Sequence, residues 1–256
     1  MKFSEKRPLY KLDELADILH GENGCPWDRK QTHDTLKKYL IEEAYEVIDA
    51  IESGNMENLK EELGDLLYQV YAHAHVSSDF SIDDIAEGIF TKLYNRHPHV
   101  FGTGSAENPS EVADSWERIK KKEREGKSIL SGVPAHLPAL LRAYRVQEKV
   151  SRVGFEFSHF EDTVTKLEEE LEELKAAVKN ESRDEIMDEF GDILFSIVNI
   201  ARFIDLDPEE SLRRAVEKFS TRFQTVESCV HSNGKSFEDM SIDELEALWQ
   251  KAKKKC

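Results

Sequence analysis

The sequence has few of the residues that interrupt helices or cross-link a chain. Its 256 residues include 7 prolines, 12 glycines and 3 cysteines. Cys25, Cys229 and Cys256 lie far apart and form no Cys-x-x-Cys motif, which favours free thiols in a reducing compartment over a disulfide framework. Segments of β-branched residues with two-residue alternation are also scarce. The composition therefore predicts an all-α protein.

Long apolar segments and an excess of positive charge are missing as well. No stretch approaches the roughly 18 apolar residues that span a bilayer, and the first residues form no apolar signal segment. We therefore expect a cytoplasmic protein without membrane contact. The net charge of −17 argues against broad binding to nucleic acid. A phosphorylated substrate would need metal ions and local basic residues to overcome this field.

The sequence contains one carboxylate pattern twice, at an offset of 127 residues. Each copy reads Glu-Glu-x-x-Glu and then, after a gap of equal length, Glu-x-Gly-Asp at the head of an apolar segment. The first copy is Glu42, Glu43, Glu46, Glu62 and Asp65; the second is Glu169, Glu170, Glu173, Glu189 and Asp192. A match of acids, spacing and apolar phase indicates an internal duplication. We predict helical domains at residues 1–118 and 134–256, joined by a charged linker at 119–133.

The spacing of the acids predicts a metal site in each copy. Residues three or four apart share a helix face, so each copy places acids on the facing sides of two helices. Two carboxylates about 4 Å apart repel by roughly 4 kcal/mol at an effective dielectric constant near 20, and a bound cation would relieve this repulsion. Oxygen ligands favour Mg²⁺, with Mn²⁺ as a substitute, over zinc. The expected ligands are Glu43, Glu46, Glu62, Asp65, Glu170, Glu173, Glu189 and Asp192.

Two other interpretations of the acids compete with this one. A solvated charged face explains most glutamate-rich segments in a protein this acidic, although the repulsion between acids that converge on paired helices argues against it here. A carboxylate-bridged di-iron site would require paired Glu-x-x-His elements, and Glu156 with His159 supplies only one, in a segment that breaks the helix. Gly64 and Gly191 each separate two acids of the pattern, which costs up to about 1 kcal/mol in a helix. Close approach of a helix, metal or ligand would explain them.

Basic residues follow each acid pattern and are candidates for phosphate contacts. Lys92 and Arg96 match Lys218 and Arg222 at an offset of 126 residues, and each pair lies four residues apart on a predicted helix. A solvated basic helix face is the alternative. A second basic segment, at residues 118–127, is either a phosphate contact or a charged linker helix.

Five segments resemble the MazG family of nucleoside triphosphate pyrophosphohydrolases, and the resemblance covers nearly the whole chain. They are residues 24–28 (Gly-Cys-Pro-Trp-Asp), 39–46 and 61–67 around the first acids, 96–102 (Arg-His-Pro-His-Val-Phe-Gly) and 152–155 (Arg-Val-Gly-Phe). The acid motif alone is less specific, since helical dUTP and phosphoribosyl-ATP pyrophosphohydrolases share it. The resemblance implies an interlocked homodimer that hydrolyses nucleoside triphosphates to monophosphate and pyrophosphate with Mg²⁺.

The resemblance leaves open which repeat is catalytically active. It assigns activity to the C-terminal repeat, yet the first repeat retains every acid, and its segment from Lys92 through Asn95 to Arg96 looks closer to the single-domain pattern. Trp249 resembles an aromatic residue that stacks on the base, with core packing as the alternative. A narrower dUTP/dCTP-type substrate range remains open. So does a non-catalytic dimerisation or regulatory role for one or both repeats.

Overall fold

The computed structural model describes the chain from Arg7 to Lys255. Residues 103, 104, 107, 124, 125, 127, 181 and 233 are outside the described part, and for residues 113, 114, 117, 120–123 and 255 only the backbone is described. The chain divides into two compact units, residues 1–125 and 126–256. Regular structure in the described part is helical throughout. The expected all-α fold with tandem helical repeats is confirmed. The predicted domain limits remain a proposal.

The N-terminal unit is organised around a pair of long helices. The helix α2 packs along α3, while α1 and α4 pack on α3, and α6 contacts α4. The helices are α1 (Pro8–His20), α2 (His33–Ser53), α3 (Met56–His75), α4 (Ile82–Arg96), the short α5 (Pro98–Phe101) and α6 (Pro109–Glu123). A 3-10 turn at Asp28–Lys30 connects α1 to α2.

Local sequence fixes the turn that brings α2 beside α3. Gly54 ends α2 with a φ of 67°, in the left-handed region where a side chain would be strained. The next residue, Asn55, begins α3, and its side chain accepts hydrogen bonds from the backbone N–H groups of Glu57 and Asn58. Thr32 forms a reciprocal capping box with Thr35 at the start of α2. These caps set where both acid-bearing helices begin or end.

The C-terminal unit repeats the plan. The helix α8 packs along α9, α7 contacts both α9 and α10, and α10 packs against α11. The helices are α7 (Ala139–Ser151), α8 (Phe160–Asn180), α9 (Arg183–Phe203), α10 (Pro208–Ser232) and α11 (Ile242–Lys255). A small core joins α10 to α11. It consists of Val226, Val230 and Ala252, with Phe237, Met240, Leu245, Leu248 and Trp249 packed against it.

A short helical turn follows α4. The helix α4 ends at Arg96, and Pro98 begins a further helical turn that continues to Phe101, because proline is well suited to the first position of a helix. None of the helices in the described part of the chain combines the length and the apolar character needed to cross a membrane.

Candidate metal centre

The N-terminal unit brings three of its five predicted acids together. Glu43 and Glu46 come from α2 and Glu62 from α3, and one carboxylate oxygen from each lies within 4.8 Å of the others. The i,i+3 spacing places the first two acids on one face of α2, and the α2–α3 packing brings the third beside them. We call this set the N-terminal cluster.

The electrostatics of the N-terminal cluster show that its carboxylates crowd one another. Burial, followed by the neighbouring charges of Asp65 and Glu46, raises the pKa of Glu43. Burial also raises the pKa of Glu62, with Glu46 and Asp65 as the next causes. The amide of Gln69 donates a hydrogen bond to Oε1 of Glu43 at 3.4 Å. This long contact with a neutral group leaves most of the negative charge uncompensated.

The C-terminal unit contains the equivalent set. Glu170 and Glu173 of α8 and Glu189 of α9 offer oxygens within 4.8 Å of one another, and we call them the C-terminal cluster. The side chain of Glu170 is only 7% exposed and forms an ion pair with Lys166, with 2.8 Å between Oε1 and Nζ. Burial raises the pKa of Glu189, followed by the charges of Glu173 and Glu170.

The chemistry of both clusters fits a hard divalent cation. Each offers carboxylate oxygen and neither includes a histidine nitrogen or a cysteine sulfur, which is the donor set preferred by Mg²⁺, Mn²⁺ or Ca²⁺. The pKa values of Glu43 and Glu189 are raised first by burial and then by the charges of the neighbouring carboxylates. A bound cation would reverse this repulsion.

The remaining predicted acids lie outside the clusters. Glu42 and Glu169 are exposed, and the carboxylate of Glu169 accepts a hydrogen bond from Lys166 at 3.3 Å. Asp65 and Asp192 are also exposed. They act on the clusters through their charge, since Asp65 raises the pKa of Glu43 and Asp192 raises that of Glu189.

The predicted phosphate-binding residues lie on α4 and α10. Lys92, Asn95 and Lys218 are exposed, while Arg96 and Arg222 are half-buried. None belongs to the acid clusters. In the basic segment at residues 118–127, the side chains of Lys120, Lys121 and Lys122 and the whole of Arg124 and Lys127 are outside the described residues, as is Cys256.

Trp249 and the two glycines have defined surroundings. The indole of Trp249 packs on the α10–α11 core, with its ring centroid 5.0 Å from that of Phe219. A Cβ atom added at Gly64 or Gly191 would meet no other atom within 4 Å. Among the described residues, packing within 4 Å of this position therefore does not require a glycine at either site.

The sequence interpretation missed two residues that contact the clusters. Gln69 lies one helical turn after Asp65, and Lys166 one turn before Glu170. The i,i+4 rule would have placed both on the acid-bearing faces. They were overlooked because they differ between the copies: the corresponding residues are Ser196 and Tyr39.

Comparison with known proteins agrees with this geometry. The MazG nucleotide pyrophosphohydrolase domain matches residues 31–101 and again residues 158–227. Each match covers the helix pair that contributes one acid cluster. The chain belongs to the MazG family. The resemblance inferred from the motifs is therefore confirmed, as is the expectation of an enzyme.

Relatives within the MazG family align with this chain over 71–98% of their own length. The chain is 44% identical over 248 residues to the nucleoside triphosphate pyrophosphohydrolase/pyrophosphatase MazG of Thermotoga maritima, covering 95% of this chain and 94% of that protein. It is 41% identical over 258 residues to the nucleoside triphosphate pyrophosphohydrolase of Escherichia coli K12, covering 96% of this chain and 98% of that protein. A nucleoside triphosphate pyrophosphohydrolase of Mycolicibacterium smegmatis is 34% identical over 266 residues, covering 96% of this chain and 71% of the relative.

Proposed function

We propose that the protein hydrolyses nucleoside triphosphates, across a broad range of ribo- and deoxyribonucleotides, to the monophosphate and pyrophosphate, with Mg²⁺ as cofactor and Mn²⁺ as a substitute. The observation that carries the proposal is the pair of three-carboxylate clusters, each built by the helix pair that matches the family domain. The Thermotoga maritima and Escherichia coli relatives, which are named as nucleoside triphosphate pyrophosphohydrolases, support the substrate class.

The acids have a defined task in this reaction. Glu43, Glu46 and Glu62, or Glu170, Glu173 and Glu189, would hold the ion, and the exposed Asp65 and Asp192 would complete the set. When bound, the ion polarises the triphosphate and stabilises the pyrophosphate leaving group. Phosphoryl transfer depends mainly on positioning and charge neutralisation. The exposed Glu42 and Glu169 are candidates for orienting the attacking water.

Basic residues would hold the triphosphate against a negatively charged protein. We assign this task to Lys92, Asn95 and Arg96 in the first repeat and to Lys218 and Arg222 in the second. The Nε atom of Arg222 is buried and has no hydrogen-bond partner among the described residues. A phosphate oxygen would satisfy this donor.

Product analysis tests the reaction directly. Incubation with a panel of nucleoside triphosphates and Mg²⁺ should release pyrophosphate and the nucleoside monophosphate in equal amounts, and EDTA should abolish both. Release of orthophosphate and nucleoside diphosphate would contradict the proposal. Activity confined to dUTP and dCTP would support the narrower substrate range instead.

We also propose that the protein is a homodimer. An apolar stripe runs along the exposed side of α9, where Met187, Phe190, Leu194 and Ile197 are 40–66% exposed. These residues recur at helical spacing, so they form one continuous face, and exposed apolar faces of this kind mark protein interfaces. Sedimentation should give twice the chain mass, and Phe190→Glu with Leu194→Glu should give monomers.

We place the protein in the cytoplasm. Cys25 and Cys229 are free thiols, as expected of a reducing compartment. Nucleoside triphosphates are cytoplasmic metabolites, which fits the proposed substrate. Immunolocalisation or cell fractionation would test this location.

A further inference from the structure

The two acid clusters differ by one positive charge. In the C-terminal cluster, Nζ of Lys166 lies 2.8 Å from Oε1 of Glu170 and 3.3 Å from Oε2 of Glu169. The corresponding residue of the N-terminal repeat is Tyr39. Its ring packs against Trp27, with 5.6 Å between centroids, and it has no charge to offer the cluster.

The contact between Lys166 and Glu170 involves the most buried acid of either cluster. The Glu170 side chain is 7% exposed, whereas Lys166 is 39% exposed. A buried carboxylate requires a partner that replaces its lost hydration. Lys166 is that partner, and its pKa lies above the ordinary value mainly because of the hydrogen bond to Glu170. A cation that binds Glu170 must therefore compete with the ammonium group.

The N-terminal cluster has no such competitor. Among the described residues, none of the basic side chains forms an ion pair with Glu43, Glu46 or Glu62, and the contact to Glu43 comes from the neutral amide of Gln69. Lys38 is close in sequence, but its Nζ lies over the Tyr39 ring, 4.5 Å from the centroid. The pKa of Lys38 is raised first by a hydrogen bond to Tyr39 and last by the charge of Glu42, which lies outside the cluster.

We propose that Lys166 is a built-in competitor for the divalent cation of the C-terminal cluster, so that the N-terminal cluster binds the same cation more tightly. This inference rests on the metal-dependent function proposed above. As the metal concentration rises, the N-terminal cluster fills first. The C-terminal cluster fills only when the ion displaces the ammonium group from Glu170. Lys166 thus sets the metal concentration at which the second repeat becomes competent.

Removing the lysine from the C-terminal cluster and adding one beside the N-terminal cluster tests the proposal in the full-length protein without nucleotide. Calorimetry and electron paramagnetic resonance would measure Mn²⁺ binding at low ionic strength. Glu46→Gln weakens the N-terminal cluster, and adding Lys166→Met to this variant should tighten binding at the C-terminal cluster about tenfold, the effect of one charge-assisted hydrogen bond. Glu173→Gln isolates the N-terminal cluster, and adding Tyr39→Lys should weaken its binding by a similar factor.

A matched control removes a lysine from the same helix. Lys175 forms an ion pair with Glu172 at 2.7 Å, outside the cluster, so Lys175→Met changes the net charge equally without freeing a cluster acid. Lys166→Arg retains the positive charge and should retain the weaker binding. Tyr39→Lys beside the N-terminal cluster keeps the proposal testable even if Lys166→Met folds poorly, which circular dichroism would reveal.

The outcomes separate this inference from the proposed function. Tighter binding in Lys166→Met and not in Lys175→Met supports the competitor. Equal effects of the two variants, or unchanged affinity in Lys166→Met, overturn it while the metal-dependent function stands. If neither cluster binds Mn²⁺, and Glu46→Gln and Glu173→Gln change nothing, the inference and the proposed metal dependence fail together.

Discussion

The Nδ1 atoms of His33 and His73 lie 2.8 Å apart, and the two rings stack with 5.2 Å between their centroids. Such a hydrogen bond requires a proton on one nitrogen and a lone pair on the other. The pair connects the start of α2 to the end of α3 and therefore helps to fix the helix pair that presents the N-terminal cluster. The corresponding residues of the C-terminal unit, Phe160 and Ile200, do not titrate.

The histidine pair should make the N-terminal unit sensitive to acid. Burial, followed by the charge of His33, lowers the pKa of His73, and burial followed by His75 lowers the pKa of His20. A depressed pKa of a base favours its neutral form in the folded state. The contribution of the neutral histidines to the free energy of unfolding is fully present above the pKa of histidine in the unfolded chain, near 6.5. It is lost as the pH falls through the lower pKa of the folded state.

Urea unfolding at pH 7 and pH 5 measures this effect. The wild-type protein should be less stable to urea at pH 5 than at pH 7. The difference should be smaller in His73→Ile, which introduces the residue found at this position of the second repeat. The exposed His231 of α10 provides the control, because His231→Gln should show the wild-type difference. An identical pH dependence in wild type and His73→Ile would contradict the prediction.

Removal of one metal ligand from each cluster should show how much each repeat contributes to turnover. Since both clusters present the same three carboxylates, we expect Glu46→Gln and Glu173→Gln each to retain roughly half of the turnover. Turnover of the double variant should fall on the order of 100-fold, because the metal ion contributes several kcal/mol of transition-state stabilisation. Pyrophosphate release under saturating Mg²⁺ measures this. Complete loss in Glu173→Gln alone would make the N-terminal repeat a non-catalytic module.

Alanine at the helical glycines should separate stability from activity. Gly191 of α9 and Gly64 of α3 have open space where a Cβ would stand, so Gly191→Ala and Gly64→Ala should stabilise the metal-free protein by up to about 1 kcal/mol. If metal or nucleotide approaches the helix here, the same variants should lower turnover at least tenfold. Gly88, an exposed helical glycine of α4 that also has open space, is the control. Full activity in all three variants would leave the glycines without a functional reason.

Trp249 should contribute more to stability than to nucleotide binding. It packs on the α10–α11 core and contacts Phe219, so Trp249→Ala should destabilise the protein by roughly 2–3 kcal/mol. Trp249→Phe retains much of the apolar volume and should recover most of this loss. Thermal unfolding gives the stability, and steady-state kinetics give KM. A raised KM for Trp249→Phe at unchanged stability would favour stacking on the base.

Much of the fold could be predicted because its signals are local. Helical periodicity and the scarcity of proline and glycine depend on composition and neighbouring residues, so the sequence alone predicts an all-α fold with acids on paired helices. The repeat made the acids of each copy recognisable before any contact was known. The helical turn at Pro98 is not determined by local sequence, since proline can end a helix and can also begin one.

The carboxylates that converge in each cluster, and the residues that contact them, come from different helical turns and different helices. The sequence alone determined two copies of five acids on paired helices, because spacing fixes the helix face. Tertiary packing decided that three acids of each copy converge, since the distance between α2 and α3 or between α8 and α9 is set by their whole contact surface. It also decided that Glu170 is buried and that Glu43 contacts Gln69 of the neighbouring helix, whereas the contact between Lys166 and Glu170 is local to α8. The two clusters have the same acid motif but different electrostatic surroundings. The reason is that equivalent acids are contacted by residues that differ between the two copies.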